Sequence, residues 1–235
     1  MMNKKQSVQT IVILLMVICL SWIFYSCQTI RPHRPPGRAM LNRVLSGESL
    51  LGDRAERLSL PEEDIFVVTP EMRDFLNKHV PNKGNNYSKL RKLLEAMMEG
   101  WKLDPLKTYS AADTFHHRQG SCLSYAIMMV TLGRELGLEL HFNEVYIPPA
   151  WDMQTEQTLV FFRHVNVSTR TGGRRIILDL DLEEYDFSYP QQKITDIAAE
   201  AHYYNNRGAD YLKANDMEQA FLYFKKALTL QPEQA

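Results

Sequence analysis

The sequence is poor in cysteine, with three in 235 residues. Cys19 lies inside an apolar N-terminal stretch and Cys27 just after it, so Cys122 has no intrachain partner for a disulfide. An excess of charge of either sign is also missing: 27 Lys and Arg stand against 28 Asp and Glu, for a net charge of −1. No nucleic-acid partner is expected from that balance, because such a partner calls for a basic patch or stripe. Clustered metal ligands are lacking as well. His116 and His117 adjoin one another with no further ligand nearby, so they read as surface or loop residues, and neither metal nor cofactor is expected. Met128 and Met129 read as core filling.

The N-terminus is a targeting segment. Lys4 and Lys5 precede an unbroken apolar run, Ile11 to Leu20, extended by Trp22, Ile23 and Phe24. This is at the short end for a membrane span, which takes about 20 apolar residues. Phe24, Tyr25, Ser26 and Cys27 resemble a bacterial lipoprotein box, with a small residue before the cysteine and Phe24 and Tyr25 departing from the usual pattern. Residues 1–27 are thus expected to be a lipoprotein signal that leaves Cys27 lipidated, or else an uncleaved anchor. Either form places the remainder on the exported side, tethered to a membrane. Residues 28–40 are rich in proline and basic residues and read as an extended tether, with an N-terminal extension reaching residue 64.

Helices come next. Thr69, Pro70 and Glu71 supply a cap, a first-turn proline and a first-turn acid for a helix reaching about Val80. Leu90, Leu93, Leu94, Met97 and Met98 recur at helical spacing between Asn86 and Gly100. Ser110 to Asp113 reads as a variant capping box for a short helix ending at His117. Ser121 to Gly137 is apolar nearly all round, the mark of a buried helix, with Gly137 placed for its left-handed cap.

The periodicity then changes to that of strands. His141 to Ile147 alternates and stops at Pro148 and Pro149. Ala150 to Thr158 reads as a polar loop containing Trp151. Leu159 to Val167 and Arg175 to Leu182 form two strands around a turn at Gly172 and Gly173. Helices followed by an antiparallel sheet indicate the α+β class.

One constellation carries chemistry. Cys122 opens the most apolar helix of the chain, where the free N–H groups and the positive end of the helix dipole favour a thiolate. With Gly172 and Gly173 as the loop, His164 faces Asp181 and Asn166 faces Asp179. All four project from one side of the hairpin, and Val165, Val167, Ile176, Leu178 and Leu180 from the other. A register shift of two would instead put Asp179 opposite His164. Such a face can supply an imidazole to take the thiol proton and a carboxylate to orient it. Spacing leaves the choice of aspartate open. The Cys122 N–H is the candidate oxyanion donor, with Gln119, Tyr109 or Trp101 as possible side-chain helpers.

These residues also resemble a known family. Residues 120–126, followed by Leu132, Gly133, Arg134, Glu135, Leu136 and Gly137, look like the core of the transglutaminase-like superfamily, in which G-x-C opens a buried helix. His164 to Val167 matches the strand bearing the family's histidine, and Ile176 to Asp179 the strand bearing its aspartate; Leu180 stands where proline is common. Tyr109 to Phe115 resembles a segment preceding the cysteine in bacterial members. The similarity spans roughly residues 65–190, and the domain is placed at 65–195. It implies a papain-like core of helices and antiparallel sheet. It also implies Cys122 as nucleophile, His164 as base and Asp179 as orienter, in a triad acting on peptide or amide bonds. The expected function is thus a membrane-tethered cysteine hydrolase or transamidase with a peptide or protein substrate.

Residues 201–234 form a second unit. Tyr204, Gly208, Tyr211, Ala220, Phe224, Ala227 and Pro232 fall on the tetratricopeptide pattern, with Arg207 in place of the usual leucine. A single repeat cannot bury its own apolar faces, so this α-helical hairpin is expected to pack on the preceding domain or to offer a groove to a protein partner. The alternative function is accordingly an inactive lipoprotein adaptor binding partners through the hairpin.

Overall fold

Every residue from Leu123 to Gly133 is buried, and the rest of the architecture follows from the need to surround that helix. The computed structural model describes residues 38–81, 83–97, 100–147, 151–155, 158–161, 164–179 and 186–232. The expected signal segment, Cys19, Cys27, the tether up to Gly37 and Asp181 lie outside the described residues, and among those described no helix is long and apolar enough to cross a membrane.

The chain divides into two units at residues 50 and 51. In the first, α1 (Arg38–Ser46) is followed by Gly47 at φ 74° and the start of α2 (Glu48–Leu51). Residues 38–40, expected to be extended, are therefore helical.

The second unit begins with a 3-10 helix, Gly52–Arg57. Helix α3 (Pro70–His79) starts as the sequence predicts, with the Thr69 hydroxyl accepting from the Met72 amide. Helix α4 (Asn86–Met97) buries Leu90, Leu93 and Met97. A two-residue parallel pair, β1 (Lys102–Leu103) with β2 (Gln119–Gly120), brackets α5 (Ala111–His117). Helix α6 (Cys122–Glu135) has Ser121 as its N-cap, accepting from the Ser124 amide, and Gly137 beyond its end at φ 74°.

Strand β3 (Leu140–Val145) precedes β4 (Trp151–Thr155) and β5 (Thr158–Phe161), which pair with each other. Here the sequence reading is corrected: the stretch assigned to a loop holds a strand. Trp151, Met153 and Thr155 suit a strand, and a pairing partner outweighs the polar residues between them. The single strand expected over residues 159–167 is two strands, β5 and β6 (His164–Thr171). Strand β7 (Arg174–Leu178) follows the Gly172–Gly173 turn, both glycines lying at positive φ. A short β8 (Gln191–Lys193) completes an antiparallel sheet of order β7-β6-β3-β8. Thus the α+β class holds, with helices before an antiparallel sheet.

One face of that sheet carries Val165, Val167, Leu140 and Phe142 into a core shared with α6 and with Met72, Leu76, Leu90 and Leu93 of the helices before it. Gly133 is the point of closest approach: a Cβ there would lie 2.1 Å from Leu140 Cδ1.

Helices α7 (Asp196–Lys213) and α8 (Met217–Leu230) form the C-terminal hairpin. It begins earlier than residue 201, at the Thr195 cap. Gly208 lets the helices meet, since a Cβ would come 2.8 Å from the Phe224 ring. The hairpin docks on the domain: Ala199, Tyr203, Tyr204, Tyr223 and Ala227 join the common core. The Glu63 carboxylate receives the phenol hydroxyls of Tyr203 and Tyr223. Arg134, in the last turn of α6, grips Asp196 through two hydrogen bonds of 2.6 and 2.9 Å and holds its carboxyl below the usual range.

Candidate active site

Cys122 is the first residue of α6, so its amide N–H is one of those a helix cannot satisfy internally. The start of this helix is held firmly. Ser124 Oγ donates to the Lys107 carbonyl at 3.1 Å and accepts the Tyr109 amide at 2.8 Å. Gly120 must be glycine for this to happen, because a Cβ would stand 2.6 Å from Ser124 Cβ. The G-x-C spacing is therefore a packing requirement: it lets Ser124 anchor the loop that delivers the cysteine. Among the described residues Cys122 is the free cysteine, and it is half-buried.

The β6–β7 hairpin delivers the other two groups. Its register pairs Val167 with Leu178 and Ser168 with Ile177, as the two-glycine turn predicts. Extending that pairing puts Asn166 beside Asp179. His164 lies one step further along the same face, within reach of the same carboxylate: Asp179 Oδ2 is 2.6 Å from His164 Nε2 and accepts Asn166 Nδ2 at 2.9 Å. A carboxylate only accepts, so Nε2 carries a hydrogen, and Nδ1 is left for the Cys122 side chain, which also hydrogen-bonds the ring. Cys122, His164 and Asp179 are thus brought together in the order sulfur, imidazole, carboxylate.

This face is not a solvated one. His164 is 3% exposed, Asn166 2% and Asn143 0%. Burial alone pushes the His164 pKa down, but the hydrogen bonds and charges of Asp179 and Cys122 outweigh it and raise the ring to about 10. A small cavity of about 40 Å³ adjoins the site, lined by Cys122, Asn166 and Asp179 together with apolar residues that include Leu94, Met129, Val165 and Leu178.

The other sequence candidates lie around this centre. Tyr109 stacks on His117 at 4.9 Å, and Trp101 packs against Phe115 and Tyr125. Gln119 sits in β2, three residues before Cys122. His116 and His117 are exposed at the end of α5.

Sequence reasoning missed the partners behind the aspartate. Asn143, Arg175 and Gln191 all belong to one polar layer with Asn166. The available signal was Asn143 itself, an amide next to Phe142 within a strand, since a buried amide demands partners.

Comparison with known proteins gives one match. A family model described as the transglutaminase-like superfamily fits residues 73–173, a span that takes in Cys122 and His164 and stops short of Asp179. No curated protein and no solved structure matches the chain. With the G-x-C helix start and the antiparallel sheet beside it, residues 73–173 are a transglutaminase-like superfamily domain.

Proposed function

We propose that the protein is a cysteine-dependent acyl-transfer enzyme that hydrolyses or transamidates peptide or amide bonds. Cys122 is its nucleophile, His164 its base and Asp179 the group that orients His164. The observation that carries this reading is a buried imidazole, His164, held between a helix-terminal sulfur and a carboxylate. Cys122, its proton already passed to His164, attacks the substrate carbonyl carbon as a thiolate and forms an S–C bond. The C–N bond then breaks, and the departing amine takes that proton. Water or a second amine attacks the thioester, gives its proton to His164, and the S–C bond breaks to free the enzyme. The Cys122 N–H, which has no partner within its own helix, supplies one donor to the carbonyl oxygen as charge develops there.

The same reading places the enzyme at an exported membrane surface, held by lipid on Cys27 or by the apolar N-terminal segment. The C-terminal hairpin is a tetratricopeptide-like unit whose one face is spent on the domain; Gly208 against Phe224 supports it.

Trapping with hydroxylamine tests the chemistry without a known substrate. Incubating the full chain with a complex peptide pool and hydroxylamine should yield peptide hydroxamates that vanish in Cys122→Ala. If no hydroxamate depends on Cys122, the enzymatic reading fails and the adaptor function through the hairpin takes its place.

A further inference from the structure

We propose that Asn166, Asn143 and Arg175 are positioning residues for this site, forming a hydrogen-bond chain of fixed direction that holds Asp179 against His164. The proposal rests on the roles given above to Cys122, His164 and Asp179. Arg175 Nη2 donates to Asn143 Oδ1 at 2.7 Å, Asn143 Nδ2 to Asn166 Oδ1 at 2.8 Å, and Asn166 Nδ2 to Asp179 Oδ2 at 2.9 Å. The chain leaves β7 at Arg175, crosses to β3, steps to β6 and returns to the residue just after β7.

Its direction follows from its ends. A guanidinium has donors and no acceptor, so Asn143 must turn its oxygen toward Arg175 and its NH₂ toward Asn166. Asn166 must then accept on its oxygen and present its own NH₂ to the carboxylate. Neither amide is free to flip, because reversing one would set donor against donor at one side and acceptor against acceptor at the other. Gln191 Oε1 braces the bend, accepting from Asn143 Nδ2 at 2.9 Å and from Arg175 Nη2 at 3.3 Å.

The consequence is a fixed acceptor for the ring. Asp179 Oδ2 takes the Asn166 N–H and the His164 Nε2–H together, so the carboxylate cannot rotate away from the imidazole without breaking the first bond. Among the described residues, the charged groups acting on the ring are Cys122 from α6 and Asp179 beyond β7; Val145, opposite it on β3, is uncharged. Arg175 reaches this centre through the two amides. A polar layer with a merely structural role would stabilise the sheet and leave sulfur chemistry untouched.

The test reads the rate of Cys122 alkylation by iodoacetamide across pH on the full chain. Arg175 is exposed, so Arg175→Met preserves the fold while removing the donor. In that variant the acid limb of the profile should move to higher pH, with the rate near pH 6 falling about threefold, or roughly half a pH unit. Asn166→Ala, two links closer to Asp179, should lower it about tenfold, and Arg175→Lys, which keeps a donor-only end, should return it toward the wild-type profile. Profiles of Arg175→Met and folded Asn166→Ala that overlay the wild type, while His164→Gln loses its reactivity at low pH, overturn the chain alone. A wild-type rate that does not depend on His164 overturns the catalytic reading and the chain together. Should Asn166→Ala fail to fold, the Met and Lys variants of Arg175 decide.

Discussion

Asn206 on the C-terminal hairpin donates to Thr108 Oγ1 at 3.2 Å, and through Thr108 it touches the start of the helix that carries Cys122. Thr108 Oγ1 lies 3.4 Å from Ser121 Oγ, the N-cap of α6. The hairpin is thereby coupled to the N-cap of the helix that Cys122 opens. Asn206→Ala should cost about 1 kcal/mol of stability, the usual value of one such bond. It should also raise hydrogen exchange at the Ser121–Ser124 amides, measurable by mass spectrometry. Unchanged exchange there would mean that the hairpin's contact stops at Thr108.

Glu63 is the hairpin's second anchor. Its carboxylate receives two tyrosine hydroxyls, and its backbone N–H donates to Tyr204 Oη at 2.8 Å. Burial and the Glu63 carboxylate both push the Tyr203 phenol well above its ordinary value, so it stays a neutral donor. Glu63→Ala strands two phenols and should destabilise the protein by about 3 kcal/mol, since bonds to a charged group are worth about 1.5–3 each. Chemical denaturation measures this, and a change under about 0.5 kcal/mol would contradict the anchoring role.

Gly120→Ala tests the delivery of the cysteine. The added Cβ would collide with Ser124 Cβ at 2.6 Å and loosen Ser124 from Lys107 and Tyr109. Overpacking of this kind costs about 1–3 kcal/mol. The alkylation rate of Cys122 should fall even under conditions where the variant is fully folded. A folded variant with wild-type reactivity would show that the G-x-C spacing serves stability alone.

His164 makes stability depend on pH. Its ordinary value of 6.5 is raised to about 10 in the fold, so the folded chain holds the proton more tightly than the unfolded chain. The stabilisation is complete below about pH 6.5 and disappears as pH rises through about 10. The stability lost in His164→Gln, measured by urea unfolding, should therefore be largest in mildly acidic solution and shrink toward pH 10. A difference that grows with pH would contradict the protonated ring.

Legibility of the site in the sequence followed the range of the interactions. Thr69 and Ser110 could be read because caps act on residues three positions away, and each side chain accepts from that amide. The His164, Asn166 and Asp179 face could be read because a two-glycine turn sets hairpin register locally. Asn143 could not be joined to Asn166 in the same way. Their pairing runs between β3 and β6, which β4 and β5 separate along the chain, so no two-residue turn joins them directly. Strand β4 was hidden for a related reason, since Trp151 and Met153 show their strand character only beside β5. Helix α1 offers neither an acidic first turn nor a proline start, which is why the tether was read too far.

The account stands on His164 activating Cys122, and the most direct measurement is the iodoacetamide rate of Cys122 near pH 6 in wild type and in His164→Gln. Free thiols, with an ordinary pKa near 8.5, are about 0.3% ionised there and react slowly. Fast wild-type alkylation that drops at least tenfold in His164→Gln is the predicted result. Equal, slow rates in both proteins would contradict it.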